Sequence, residues 1–157
     1  MRHARPGETA WSDPSPCAPE SHIKPLVAGV LLDSTVLIDI LRGREGVWQR
    51  YEALDRAGDV PYICSINVEE IARGVRPNER ASVEELVAGI RMVALAEQEG
   101  WLAGDWRRAF EAQGVTLAQG DCLIAAAAAT IGGRLATGNP KHFPMPELTV
   151  EHWPAGA

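Results

Sequence analysis

The sequence predicts an α/β fold, with a single domain in which a central parallel sheet carries helices on both faces. Short apolar runs alternate with segments of helical spacing, and the links between them are short. The apolar runs lack the polar alternation of a half-exposed strand, which is typical of a sheet buried on both sides. A chain of 157 residues with 46% hydrophobic composition suits one compact core.

The first half of the chain shows this alternation clearly. The apolar run 30–32 predicts a strand that ends at Asp33, and apolar residues at helical spacing from 36 to 41 predict a helix that reaches Gly43. The elements predicted next are a helix over 47–57, a strand over 61–66 and a helix over 67–74.

The second half continues the pattern after Pro77, which breaks the chain. Leu102, Trp106 and Phe110 share one side of an amphipathic helix, which makes them candidate core residues. The elements predicted here are helices over 82–90, 101–113 and 123–129, the last opened by Asp121, and strands over 92–95 and 134–137.

The N-terminal segment differs in composition from the rest. Residues 1–26 hold five prolines among polar residues and cannot bury enough apolar surface to offset their ordering entropy, so we expect a disordered extension before a domain over 27–157. The apolar pattern starts abruptly, and we hypothesise that the natural start is an alternative codon at Val27 or Val30. An intact mass of the native protein that includes residues 1–26 would exclude this.

Charge and cysteine usage narrow the class of protein. A net charge of −6 argues against a protein that holds nucleic acid by a broad basic surface. The three cysteines show no paired spacing, which fits a reducing cytoplasm. No apolar stretch approaches the roughly 20 residues of a membrane span, so we expect a soluble cytoplasmic protein with no membrane partner.

Three acidic residues, Asp33, Glu70 and Asp121, lie where a strand-like run gives way to a helix-like one. A parallel sheet gathers the carboxyl ends of its strands at one edge, so these side chains are candidates for one acidic pocket that needs a cation. Each acid alone also has a structural explanation. Asp33 or Ser34 would cap a helix, Glu70 would complete a capping box with Asn67, and Asp121 would favour a helix N-terminus.

The residues around the acids follow a recurrent pattern: LDSTVLID at 32–39, SINVEEIARG at 65–74, DCLIAA at 121–126, and LATGN at 135–139 followed by KHF at 141–143. This pattern resembles the PIN domain, specifically the VapC-type toxin ribonucleases of bacterial toxin–antitoxin pairs, over residues 30 to about 150. The resemblance implies that Asp33, Glu70 and Asp121 are metal ligands and catalytic residues. It places Asn139 in the fourth catalytic position, supported by hydrogen bonding with Thr137.

The choice between the adjacent Glu69 and Glu70 rests on the family's spacing to Ile71 and Gly74, which favours Glu70. The resemblance further implies an endoribonuclease that depends on Mg²⁺ or Mn²⁺, with RNA as substrate and a 5′-phosphate and a 3′-hydroxyl as products. It also implies a homodimer that a cognate VapB-type antitoxin holds inactive. Mg²⁺ prefers oxygen ligands and keeps several waters, so a few carboxylates suffice and no histidine is required.

Arginines and tryptophans offer weaker signals. Arg42, Arg44, Arg73 and Arg76 follow the first two acidic helices and are candidates to line a groove for an RNA backbone, although charged helix ends are usually just solvated. The spacing of Trp48, Trp101 and Trp106 favours core or dimer contacts over base stacking. Helix-surface positions are the simpler interpretation of Asp39 and Asp105.

Other function classes remain open from the residues alone. A haloacid-dehalogenase-like phosphatase also places an Asp after its first strand, but Thr35 stands where its general acid is expected. A receiver domain needs adjacent acids after the first strand, and Leu32-Asp33-Ser34 does not provide them. A catalytically inert RNA- or protein-binding module is the third alternative, and metal-dependent cleavage separates it from the nuclease.

Overall fold

Five parallel strands form one sheet in a computed structural model of the chain, which describes residues 28–156. The strands are β1 (Gly29–Leu32), β2 (Val60–Cys64), β3 (Arg91–Val93), β4 (Arg134–Thr137) and β5 (Thr149–His152). Their order in the sheet is β3-β2-β1-β4-β5, and every pairing is parallel. The predicted disordered extension, residues 1–26, lies outside the described residues.

Within the described residues, six α-helices cover the sheet. They are α1 (Ser34–Leu41), α2 (Glu45–Ala57), α3 (Ser65–Gly74), α4 (Arg80–Ala88), α5 (Glu97–Glu111) and α6 (Gln119–Thr130). Two short 3-10 turns, Pro77–Glu79 and Pro140–His142, interrupt the loops after α3 and β4.

The core consists of two halves, one on each face of the sheet. Successive strand residues point to opposite faces, and in β1 Leu31 packs with α5 and α6 while Val30 and Leu32 pack with α1 to α4. The run of alanines at 125–128 in α6 is fully buried, so small side chains let this helix lie close to the sheet. These two faces confirm the predicted α/β fold with helices on both sides.

The order in which strands are added to the sheet reverses at β1. From β1 the chain passes to β2 and then β3 on one side, whereas β4 pairs with the other side of β1. The pairing continues past the strand ends, because the Asp33 N–H donates to the Ala136 carbonyl oxygen at 2.9 Å. Open α/β sheets bind ligands at the carboxyl ends of the strands where the order reverses. The crevice between β1 and β4 is therefore the expected binding position.

Most element predictions hold, but some ends move. The strand predicted over 61–66 stops at Cys64, because Ser65 and Ile66 already form the first turn of α3. Helix α5 begins at Glu97, four residues earlier than predicted, because Glu99 Oε2 accepts a hydrogen bond from the Ala96 N–H at 2.9 Å. Such a bond satisfies one of the free N–H groups at a helix start.

Strand β5 was not predicted at all. Its sequence, TVEH, holds one aliphatic residue, and its burial alternates little because it lies at the edge of the sheet.

Trp106 is buried as predicted, whereas Trp101 and Trp48 are 68% and 39% exposed. Within residues 28–156, Cys64 and Cys122 are free thiols and both are buried. No helix within residues 28–156 is long and apolar enough to cross a membrane.

A three-residue ion cluster joins the sheet at the edge opposite the acids. Arg134 contacts Asp59 at 2.9 Å and Glu151 at 2.7 Å, and the three side chains are 16–30% exposed. Partial burial reduces the screening of such pairs by water and salt, and it makes the loss of one partner costly. The cluster ties β4 to β5 and to the start of β2.

Replacing Arg134 tests this contribution. Arg134→Met leaves two partly buried carboxylates without a counter-charge, and we expect unfolding to become easier by about 2 kcal/mol, between the values for exposed and buried pairs. Urea unfolding measures the change. Arg80→Met is the matched control, because the Arg80–Glu84 pair is about 60% exposed on both sides and its loss should cost less than about 0.5 kcal/mol. Equal losses in the two variants would contradict this role for the cluster.

Candidate active site

Asp33 directly follows β1 and occupies the N-cap position of α1, yet its side chain caps no backbone N–H. Its Oδ2 atom instead accepts hydrogen bonds from Thr35 Oγ1 and Thr137 Oγ1, both at 2.8 Å. The residue is only 5% exposed. The capping explanation for Asp33 is therefore wrong, and the side chain is held toward the crevice between β1 and β4.

Both hydroxyls at Asp33 are themselves fixed by the backbone. The Gly138 N–H donates to Thr35 Oγ1 at 2.9 Å, and the Asn139 N–H donates to Thr137 Oγ1 at 3.0 Å. A hydroxyl has one hydrogen to donate, so each threonine directs it to Asp33. The loop after β4 thus orients the carboxylate that follows β1.

Glu70 lies in the second turn of α3, while the neighbouring Glu69 is exposed. Its Oε2 atom accepts a hydrogen bond from Ser34 Oγ on α1. The capping box suggested for Glu70 is wrong, because Asn67 makes that contact: its Oδ1 accepts the Cys64 N–H at 2.8 Å. The Glu70 side chain therefore caps no backbone group of its own helix, and it is hydrogen-bonded to Ser34, the residue after Asp33.

Asp121 lies in the first turn of α6, close to the other two acids. Burial raises the pKa of the Asp121 carboxyl, the charges of Asp33 and Glu70 raise it further, and His142 opposes these effects. His142 Nδ1 lies 3.3 Å from Asp121 Oδ2. Gly120 contacts Glu70 so closely that a Cβ there would stand 3.1 Å from Glu70 Oε1. The three acids therefore share one site.

Each of the three carboxylates has one oxygen engaged and one available. Asp33 Oδ1, Glu70 Oε1 and Asp121 Oδ1 accept no hydrogen bond within the described part of the chain. No buried side-chain nitrogen or oxygen there lacks a partner, so these three oxygens reach solvent. None of the arginine or lysine ion pairs in residues 28–156 involves these acids. The available oxygens present unbalanced negative charge to the crevice.

The donor set fits a hard divalent cation. Within residues 28–156, no group of three or more His, Cys, Asp or Glu side chains is drawn together tightly enough to enclose a metal ion. Mg²⁺ does not need such a cage, because it keeps several waters and binds through one or two carboxylates and substrate phosphate. Solvent-facing carboxylate oxygens around an open crevice are ligands of that kind.

The fourth predicted residue, Asn139, lies in the loop after β4. Asn139 is exposed and precedes the 3-10 turn Pro140–His142, and its side chain makes no capping hydrogen bond. Sequence reasoning missed the site contacts of Ser34, Asn67 and His142. The available signal was position, since Ser34 follows the first acid directly and Asn67 precedes the second by one helical turn.

Residues 30–145 match the PIN domain family. Ribonuclease VapC10 of Mycobacterium tuberculosis is 37% identical over 117 residues, 74% of this chain and 86% of that protein. Ribonuclease VapC19 of the same species is 29% identical over 119 residues, 75% of this chain and 95% of that protein. The solved VapBC2 from Rickettsia felis, bound to a promoter DNA fragment, has a similar fold, with a TM-score of 0.72, 20% identity, and coverage of 80% of this chain and 98% of that chain.

The raised pKa of Asp121 predicts a gain in stability on neutralising it. The folded protein holds a proton on this carboxyl more tightly than the unfolded chain does, so the ionised form opposes folding above that pKa. Without metal at pH 7, we expect Asp121→Asn to raise the melting temperature by about 3 °C, as stabilising changes at strained active sites do.

Calorimetry in EDTA measures this effect. The gain should shrink as the pH falls through the raised pKa of the wild-type carboxyl, and it should be lost below the ordinary Asp pKa of about 3.9, because the carboxyl is then protonated in both the folded and the unfolded protein. Asp105→Asn is the control, since Asp105 lies exposed on α5 beside Arg108. A melting temperature for Asp121→Asn equal to or below that of wild type at pH 7 would contradict the electrostatic account.

Proposed function

The chain belongs to the PIN domain family, in its VapC group. We propose that it is a metal-dependent endoribonuclease that acts as the toxin of a toxin–antitoxin pair. The observation that carries the proposal is the convergence of Asp33, Glu70 and Asp121, each with one carboxylate oxygen free to bind a cation. RNA is the substrate that the similarity to VapC ribonucleases supports.

The proposed ligands of Mg²⁺ or Mn²⁺ are Asp33, Glu70 and Asp121, with Asn139 assisting at the rim and Thr137 holding Asp33 in place. A bound cation supplies a lowered pKa for an attacking water and neutralises charge on the scissile phosphate. Hydrolysis adds water across the P–O3′ bond, so the products carry a 5′-phosphate and a 3′-hydroxyl.

The protein's own residues support the proposed dependence on a cation. The net charge of −6 and three carboxylates at one crevice repel an RNA phosphate. His142 stands near only one of the acids. Substrate therefore approaches productively only when metal offsets the charge of the site.

A groove beside Glu70 suits the proposed antitoxin. It has a volume of about 440 Å³ and lies between α1, α3 and the start of α4. Its lining combines apolar Ile38 and Ile71 with Arg42 and Arg76. An apolar surface with a charged rim accepts an amphipathic peptide segment. A VapB-type antitoxin segment seated there would cover the approach to Glu70 and keep the enzyme inactive.

A homodimer and a cytoplasmic location complete the proposal. Trp101 is 68% exposed on α5 and Met92 is 50% exposed on the edge strand β3, and a dimer contact would cover such apolar side chains. The free, buried thiols of Cys64 and Cys122 suit a reducing compartment.

RNA cleavage tests the function directly. Purified full-length protein is incubated with a pool of structured RNAs in Mg²⁺ or Mn²⁺ and then in EDTA, beside Asp33→Asn and the exposed control Asp105→Asn. We expect cleavage by wild type and the control only with metal, and a loss of at least about 100-fold in Asp33→Asn, because the cation loses a charged ligand. Wild-type cleavage by Asp33→Asn would refute the ligand assignment. No cleavage by folded, antitoxin-free wild type would favour the binding-module alternative.

Gly120 provides a test that separates activity from stability. An added Cβ stands 3.1 Å from Glu70 Oε1 and 3.5 Å from Ile66 Cγ2, so the flexible Glu70 side chain must shift. Alanine is the better helix former by about 1 kcal/mol. We expect Gly120→Ala to melt at or above the wild-type temperature yet cleave RNA about 10-fold more slowly. Gly104→Ala, in α5 with open space around it, is the control. Full activity in Gly120→Ala would contradict a role for the Glu70 position.

A further inference from the structure

The side-chain amide of Asn67 has a fixed direction. Asn67 is fully buried, its Oδ1 accepts the Cys64 N–H at 2.8 Å, and its Nδ2 donates to Ser34 Oγ at 3.1 Å. Because a backbone N–H can only donate, the amide oxygen must face Cys64 and the NH₂ group must face Ser34. The fold thus presents a donor, and not an acceptor, to Ser34.

The Ser34 hydroxyl passes this direction on to Glu70. Its oxygen accepts the hydrogen bond from Asn67, and it is also bonded to Glu70 Oε2. A carboxylate can only accept, and a hydroxyl has one hydrogen, so that hydrogen is committed to Glu70. Ser34 is 6% exposed, which limits competition from water.

The result is one defined orientation for Glu70. With Oε2 held by Ser34, Oε1 lies against Gly120 at the start of α6, beside Asp121. At Asp33 the corresponding hydroxyls are directed by backbone N–H groups, which only a substitution by proline removes. At Glu70 the direction depends on a side chain, and therefore on the identity of residue 67.

We propose that Asn67 is a positioning residue of this site, which fixes the direction of the Ser34 hydrogen bond and thereby aims the free oxygen of Glu70 at the metal position. The inference rests on the proposed function in one respect, namely that Glu70 binds a cation. The hydrogen-bond direction itself is independent of that function and is tested separately.

Asn67→Asp is the informative substitution, because it preserves shape while replacing the donor that faces Ser34 by an acceptor. The Ser34 hydrogen then turns to the new carboxylate and Glu70 loses its donor. Ser34→Ala removes the same donor directly. Isothermal titration calorimetry with Mn²⁺ at pH 8 measures the consequence, and each variant should bind Mn²⁺ about 10-fold more weakly, the lower end of the usual effect of such supporting contacts. Ala57→Glu controls for the added charge, at an exposed position next to the start of β2 and away from the site.

The double variant shows whether Asn67 acts through Ser34. If it does, Asn67→Asp has no further effect on Mn²⁺ affinity once Ser34→Ala is present, within about 2-fold. A further loss of about 10-fold in the Ser34→Ala background would overturn the proposal, as would wild-type affinity in either single variant. Thermal unfolding of each variant verifies that it is folded.

A crystal structure of metal-free Asn67→Asp gives a readout that needs no metal and no activity. The proposal predicts that Ser34 Oγ turns to residue 67 and that its separation from Glu70 Oε2 exceeds the 3.5 Å limit of a hydrogen bond. An unchanged Ser34–Glu70 contact would overturn it. Wild type that neither binds Mn²⁺ nor cleaves RNA would refute the proposed function alone, since this structural comparison still decides the role of Asn67.

Discussion

Repulsion between three carboxylates at the carboxyl edge of the sheet is the constraint on which the rest of the site depends. Asp33 follows β1, Glu70 lies in the second turn of α3, and Asp121 lies in the first turn of α6. The pKa of Asp121 is raised by burial and by the charges of the other two acids. Like charges held together in a partly buried crevice cost free energy. The fold offsets that cost by donating hydrogen bonds to one oxygen of Asp33 and one of Glu70.

Local sequence features follow from this arrangement. Hydroxyl residues flank the first acid on both sides of the β1–β4 crevice, and Thr35 and Thr137 both donate to Asp33. Gly120 leaves room for Glu70 where a side chain would press on it. The parallel sheet brings these distant segments together, because the order of its strands reverses between β1 and β4.

The sequence is sufficient to predict most of the fold and to predict that the three acids lie together at one edge of the sheet. It does not predict which hydrogen bonds hold the acids. The apolar run 30–32 and the apolar pair at 135–136 identify β1 and β4. Strand β5 holds one aliphatic residue, Val150, and pairs with the open edge of β4. Capping rules assigned Glu70 to its own helix. Glu70 instead accepts a hydrogen bond from Ser34 on α1. This contact depends on how α1 packs against α3, and no local pattern in the sequence indicates that packing. The Asn67 amide is buried by that same packing.

Anomalous diffraction from crystals soaked in Mn²⁺ is the most direct test of whether the three acids bind a cation, because it locates the cation without reference to activity or to RNA. The account predicts a peak in the crevice within about 2 Å of the free oxygens of Asp33 and Asp121, the distance typical of Mg²⁺-like cations bound to carboxylates, with Glu70 bound directly or through water. A well-ordered crystal that shows no Mn²⁺ at this crevice, or shows it only elsewhere, would contradict the account.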